Sequence, residues 1–175
     1  MSKIKGDHRD HRDHLRYDAS ARHHAKHGAS ELVPAATVVV LRDGDDGIET
    51  LMLRKNSKIA FGGMWVFPGG KIDNDDEVLD AHGEPDELAT AAAAAVREAA
   101  EEAAVSLDPA GLVWFAYWVP PPVMPIRFAT FFFAARHEEP ASEVLIDDGE
   151  ITEHEWMRPV AVSYTHLTLP TNREV

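Results

Sequence analysis

The sequence predicts an α/β domain in which helices pack on a mixed sheet, and three features carry that prediction. A β-branched hairpin opens the ordered part, one alanine-rich helix stands in the middle, and apolar aromatic runs follow it. Strands mixed with a single firm helix imply layers of different type sharing one core. With 175 residues, 45% of them hydrophobic and 27% charged, the chain is long enough for one domain with a substantial core.

Residues 1–30 are polar and contain the near-repeat from Asp7 to His14, with six of the ten histidines. Apolar periodicity is absent there, so a disordered or weakly helical tail is expected. His-rich tracts are only a compositional hint of metal binding, and a solvated tail is the simpler reading. From Pro34 the pattern changes. Thr37 to Leu41 is a β-branched run, Asp43-Gly44-Asp45-Asp46-Gly47 is a turn, and Glu49 to Arg54 answers it, which together read as a hairpin. A third strand over about 63–68 leads into Pro68-Gly69-Gly70, read as a tight turn. Residues 72–86 are acidic, contain Gly83 and Pro85, and read as an irregular loop.

The strongest helix signal runs from Asp86 to Val105. Ala91 to Ala95 have the best intrinsic propensity, Pro85 and Asp86 suit a first turn, and Asp108-Pro109 lies beyond the end. Ala92, Ala95, Val96, Ala99 and Ala103 form a small apolar stripe suited to close packing on a sheet, with the glutamates expected to lie off it. Leu112 to Val119 and Phe128 to Ala135, joined by a turn rich in proline (Pro120, Pro121, Pro122, Pro125), read as two buried strands. Glu150 to Met157 reads as the last strand.

Chemistry concentrates in Arg97-Glu98-Ala99-Ala100-Glu101-Glu102. On a helix Glu98, Glu101 and Glu102 share one face at i, i+3 and i+4, and like charges so close call for a cation among them. Oxygen ligands at this density suit Mg²⁺ or Mn²⁺, which often bridge to a phosphate. Glu101 and Glu102 are the expected ligands, with Glu98 either a ligand or the base that accepts a proton from water. Arg97, four residues before Glu101, can pair with it and hold it. The competing reading is an amphipathic helix with a solvated charged face.

Together, Pro68-Gly69-Gly70 and Arg97-Glu98-x-x-Glu101-Glu102-x-x-Val105 resemble the signature of the Nudix hydrolases, G-x5-E-x7-R-E-U-x-E-E-x-G-U with U aliphatic, over roughly residues 35–160. The resemblance implies an α/β/α sandwich and metal-dependent cleavage of a pyrophosphate. It also implies the same division of roles among the glutamates and a metal contact from the Gly70 carbonyl. Gly70 and Arg97 stand 27 positions apart, 13 more than the signature allows. Counted back from Arg97, the slot of the first Glu holds Ala89; the late Gly slot holds Ala104 and the aliphatic slot Ala99. An insertion there, with Trp118-Val119-Pro120 and Arg127-Phe128-Ala129-Thr130, resembles the branch containing peroxisomal coenzyme A diphosphatases.

Arg54, Lys71 and Arg127 are candidates to meet phosphates, and Gly69 to let the backbone approach a ligand. Phe61, Trp118 and Phe131 could stack on a base, though aromatics in such runs are more often core. Glu150, Glu153 and Glu155 are candidates for a further carboxylate. The family usually places a helix after a segment like Trp156-Met157-Arg158-Pro159. Residues 163–175 resemble translated adapter read-through, so a domain spanning 35–162 with its final helix missing is expected, and the shortened chain could be inert although its parent is an enzyme.

Net charge is −13, split into +3 over residues 1–27 and −16 over the remainder, a balance that opposes nonspecific binding to nucleic acid. No apolar run reaches the ~18–20 residues that cross a bilayer, and the lack of cysteine agrees with a cytoplasmic protein. The expected partner is a small nucleoside diphosphate derivative, with oligomerisation open. A degenerate Nudix fold that binds a nucleotide without turnover is the alternative.

Overall fold

The structure is a computed structural model that describes residues 28–58, 62–137, 144–146 and 149–162. The His-rich repeat, Phe61 and the expected foreign end therefore lie outside the described residues. The chain divides into two compact units, with the described parts of 1–34 and 118–129 in one and those of 35–117 and 130–175 in the other. In the first unit the Pro-rich turn is tied down by polar contacts. Ser30 Oγ donates to the Met124 carbonyl at 2.7 Å, and Arg127 donates to the carbonyls of Pro120 (3.1 Å) and Ser30 (3.0 Å).

The strands are β1 (Leu32–Gly44), β2 (Gly47–Lys55), β3 (Trp65–Val66), β4 (Gly69–Lys71), β5 (Val113–Trp118), β6 (Arg127–Arg136) and β7 (Ile151–Met157). They form a sheet of order β3-β2-β1-β6-β5, with β4 paired to β1 and β7 to β2. The hairpin expectation holds: Gly44 pairs with Gly47 across the two turn residues Asp45 and Asp46, and Gly47 takes φ +117° there. β1 is shared lengthwise, its first part pairing with β4 (Ala36 with Gly70) and its last part with β2.

The helix α1 (Glu87–Ala103) begins where Asp86 caps it by accepting the Ala89 amide at 2.9 Å. It ends at Ala104, which sits in the left-handed region at φ +54°, and the Val105 amide reaches back to the Ala99 carbonyl at 3.1 Å. Its small residues let it lie close on the sheet. Ala91, Ala94, Ala95, Ala99 and Ala103 are fully buried with Val38, Val40, Leu51, Leu53, Phe133 and Ile151. A second helix, α2 (Pro159–Val162), opens after β7, and the described residues end with it. No helix among the described residues is long and apolar enough to cross a membrane.

Three expectations are corrected. Gly69 and Gly70 are not a turn but part of β4, because the backbone there pairs antiparallel with β1. The strand β5 is not buried: at the end of the sheet order it leaves Val113, Trp114, Phe115 and Tyr117 exposed, with Trp114 and Tyr117 against the Phe131 ring and Phe115 beside Phe132. Nor do all the glutamates lie off the apolar stripe of α1, for Glu102 is buried beside Ala103.

Candidate active site

A strand and a helix build the site. β4 runs past α1; Gly69 is required by close backbone contact, while Gly70 lies against the end of the Glu98 side chain. A Cβ on Gly70 would lie 2.6 Å from Glu98 Cδ, and one on Gly69 would lie 2.8 Å from Thr37 Cα on the neighbouring strand. Glycine lets the backbone reach the carboxylate that a larger residue would push away.

Glu102 faces this strand from α1. Its residue exposure is 4%, Oε2 accepts the Gly69 amide at 3.0 Å and Oε1 accepts Lys55 Nζ at 3.0 Å. Burial pushes its carboxyl up to about 7, although Lys55 and the Gly69 amide pull the other way. Glu98, half-buried against Gly70, is also raised, chiefly by desolvation and against the pull of Arg97. Burial alone would lower Lys55, yet the carboxylates of Glu102 and Glu150 outweigh it and raise the ammonium's pKa. Lys55 pairs with Glu150 as well as Glu102.

Arg97 organises the other side. Nε and Nη2 donate to the two oxygens of Asp76 at 2.8 and 2.9 Å. Nη1 donates to Glu98 Oε1 (3.0 Å) and Glu101 Oε2 (2.9 Å), and Nη2 also donates to the Lys71 carbonyl (3.1 Å). Every N–H of the guanidinium is thereby used. The fork to Asp76 is the main reason Arg97 is held protonated and the Asp76 carboxyl below its ordinary value.

The sequence reading missed Asp76 and Lys55. Counting back from Arg97 lands on Ala89, which only receives the helix into its first turn. Counting forward from Gly70 over five residues lands on Asp76, and the structure joins that carboxylate to Arg97. The insertion therefore lies between Asp76 and Arg97, where Asp86 and the bridge Leu79–Pro85 close it. Lys55 carries no motif; it enters the site because it continues the face of β2 on which Leu51 and Leu53 join the core with α1.

The other candidates divide. Glu98, Glu102 and Gly70 come together, while Glu101 is exposed and reaches them through Arg97. Arg54 pairs with Glu153 at 3.0 Å on the surface, and Glu155 is exposed on β7. Lys71 exposes its side chain at the end of β4, and Arg127 belongs to the first unit, committed to backbone carbonyls. Phe131 is half-buried under β5 aromatics, and Trp118 is exposed in the first unit. Among the described residues no three acidic or histidine side chains converge on a point, because Arg97 and Lys55 each draw some of the carboxylates to themselves.

Comparison with known proteins identifies the family. The NUDIX domain family model matches residues 31–174. No curated protein sequence matches the chain significantly. Among solved structures, a NUDIX hydrolase from Alicyclobacillus acidocaldarius is 26% identical with a TM-score of 0.60, the match covering 73% of this chain and 79% of that one. The NUDIX domain of Shewanella oneidensis NrtR, solved with ADP ribose, is 15% identical with a TM-score of 0.59, covering 82% and 86%. A MutT NUDIX hydrolase from Burkholderia pseudomallei is 18% identical with a TM-score of 0.53, covering 73% and 84%. The latter two show likeness of fold alone. With more than four-fifths of its length inside the family model, the chain belongs to the Nudix hydrolases, a family of pyrophosphohydrolases that generally use divalent metal ions.

Proposed function

We propose that the protein hydrolyses the pyrophosphate bond of a nucleoside diphosphate linked to another moiety, with Mg²⁺ or Mn²⁺, and that coenzyme A and its thioesters are the favoured class. The observation that carries this reading is the pair of desolvated carboxylates, Glu98 and Glu102, facing Gly69–Gly70 while Arg97 and Lys55 balance their charge. Carboxylates whose proton affinity is raised, first by burial, form a donor set suited to a hard cation. Glu98, Glu101, Glu102 and the Gly70 carbonyl would hold the ion, which would neutralise the diphosphate and make a water more acidic. Glu98 is a ligand or takes the proton of the attacking water. Arg97 keeps Glu98 and Glu101 in place, and Lys71, exposed beside the glycines, can meet a phosphate oxygen. The coenzyme A preference rests on the insertion before Arg97 and the Trp118-Val119-Pro120 and Arg127-Phe128-Ala129-Thr130 segments.

The test is release of phosphate or nucleotide from coenzyme A, ADP-ribose, a dinucleotide and a nucleoside triphosphate, with Mg²⁺ and with chelator. Turnover should require the metal and should fall about 100-fold or more in Glu98→Gln without loss of the fold. Nucleotide binding without turnover at any metal concentration would favour a non-catalytic module instead.

A further inference from the structure

Lys55 reaches this site from the face of the sheet that packs with α1. β2 and β7 pair in register from Thr50–Met157 to Arg54–Glu153, and the register then shifts so that Lys55 pairs with Ile151. The extra residue, Thr152, lies on β7, so β2 itself stays regular through Lys55. Leu51, Leu53 and Lys55 alternate onto one face of β2, the two leucines joining the core with the α1 alanines, so Lys55 extends that face toward Glu102. The ammonium reaches Glu102 Oε1 at 3.0 Å and pairs with Glu150 as well, with only 11% of the Lys55 side chain and 5% of the Glu102 side chain exposed. The segment that carries Glu150 is fixed to the same strand end: the Asn56 amide donates to the Glu150 carbonyl at 2.8 Å and Asn56 Nδ2 to the Gly149 carbonyl at 3.0 Å.

We infer that Lys55 is a built-in counter-ion that occupies Glu102 in the metal-free protein and that a divalent cation must displace or oppose, so that Lys55 sets the metal affinity rather than contributing to the chemistry. The inference rests on the proposed metal-binding role of Glu102. A buried carboxylate without a partner is costly, so the metal-free fold needs this ammonium. The same positive charge, a hydrogen bond away from the ligand oxygen, repels a second cation in a medium where charges are poorly screened. A divalent ion feels that repulsion twice as strongly as a proton does. Removing Lys55 therefore tightens metal binding even though it also makes Glu102 easier to protonate. Lys55 is thus a positioning residue, acting through Glu102.

The experiment is Mn²⁺ binding to the chelator-stripped full chain at mildly alkaline pH, read as loss of the free-ion paramagnetic resonance signal, with thermal melts in parallel. Lys55→Met should bind Mn²⁺ at least about tenfold more tightly than wild type, while its metal-free form melts at lower temperature and recovers on saturation. Lys55→Arg, which keeps the charge, should stay within about threefold of wild type. Should Lys55→Met not fold, Lys55→Gln carries the same expectation, since it too removes the charge. Unchanged or weaker Mn²⁺ binding in the neutral variant, beside normal binding by wild type, overturns this inference alone. Tightening in Lys55→Arg equal to that in Lys55→Met overturns it too, because charge would not be the cause. A wild-type chain that binds no Mn²⁺ overturns the metal-site reading and this inference with it.

Discussion

At the residue scale Arg97 decides how the site is held. Its bidentate contact to Asp76 joins a buried carboxylate of the loop to the helix that carries the glutamates. Asp76 was legible in the sequence, but only from one direction: an insertion of unknown place makes the count from Arg97 fail and the count from Gly70 succeed. Lys55 was legible only as a residue in line with Leu51 and Leu53 on one face of β2; which carboxylate it meets there depends on how α1 lies on the sheet, and no local pattern shows that. The Asp76 carboxyl is lowered below its ordinary 3.8, first by the hydrogen bonds from Arg97. A lowered folded pKa gives stability that is present above the unfolded value and is lost as pH falls through the folded one. Asp76→Asn should therefore destabilise the protein by about 2–3 kcal/mol at neutral pH, a value discounted for the partly exposed Arg97. The gap between variant and wild type should narrow as pH is taken from 5 to below 3.8 in urea titrations. A gap that stays constant across that window would remove Asp76 from the ionised pair.

At the element scale α1 was the most legible part of the chain. Its alanines, the Asp86 cap and the terminator at Asp108-Pro109 all agree on one answer, and the helix spans Glu87–Ala103 within the expected bounds. What periodicity could not say is which residues face the sheet. Glu102 shares the buried face with Ala95, Ala99 and Ala103, since its carboxylate is satisfied there by the Gly69 amide and Lys55. The far end of the helix stores strain. Ala104 occupies the left-handed region at φ +54°, where the family signature has glycine. A non-glycine residue there costs roughly 1–2 kcal/mol, of which the greater unfolded-state freedom of glycine returns a part. Ala104→Gly should thus stabilise the protein by about 0.5–1 kcal/mol, raising the melting temperature by about 1–4 °C with unchanged turnover. A lower melting temperature would mean that the turn relaxes without strain in alanine.

For the molecule as a whole, charge and exposed apolar surface pull in opposite directions. The chain carries −13 at neutral pH, which keeps copies apart at low salt. Yet the second unit ends its sheet on β5, where Val113, Trp114, Phe115 and Tyr117 are exposed and Phe115 reaches 57%. The run Val113-Trp114-Phe115-Ala116-Tyr117 has no charge and no proline to blunt an edge. Composition gave the strand but not its place, because an aromatic run reads alike in the centre of a sheet and at its margin; only the strand order separates them. Screening shortens the reach of the repulsion from about 30 Å at 0.01 M salt to about 8 Å at 0.15 M, and leaves the apolar attraction intact. Light scattering should therefore show the protein monodisperse at low ionic strength and associating as salt is added. Phe115→Lys, which places a charge on the edge without touching the buried core, should suppress that association and leave the melting temperature nearly unchanged. Association that persists in Phe115→Lys, or that weakens as salt is raised, would place the contact elsewhere on the surface.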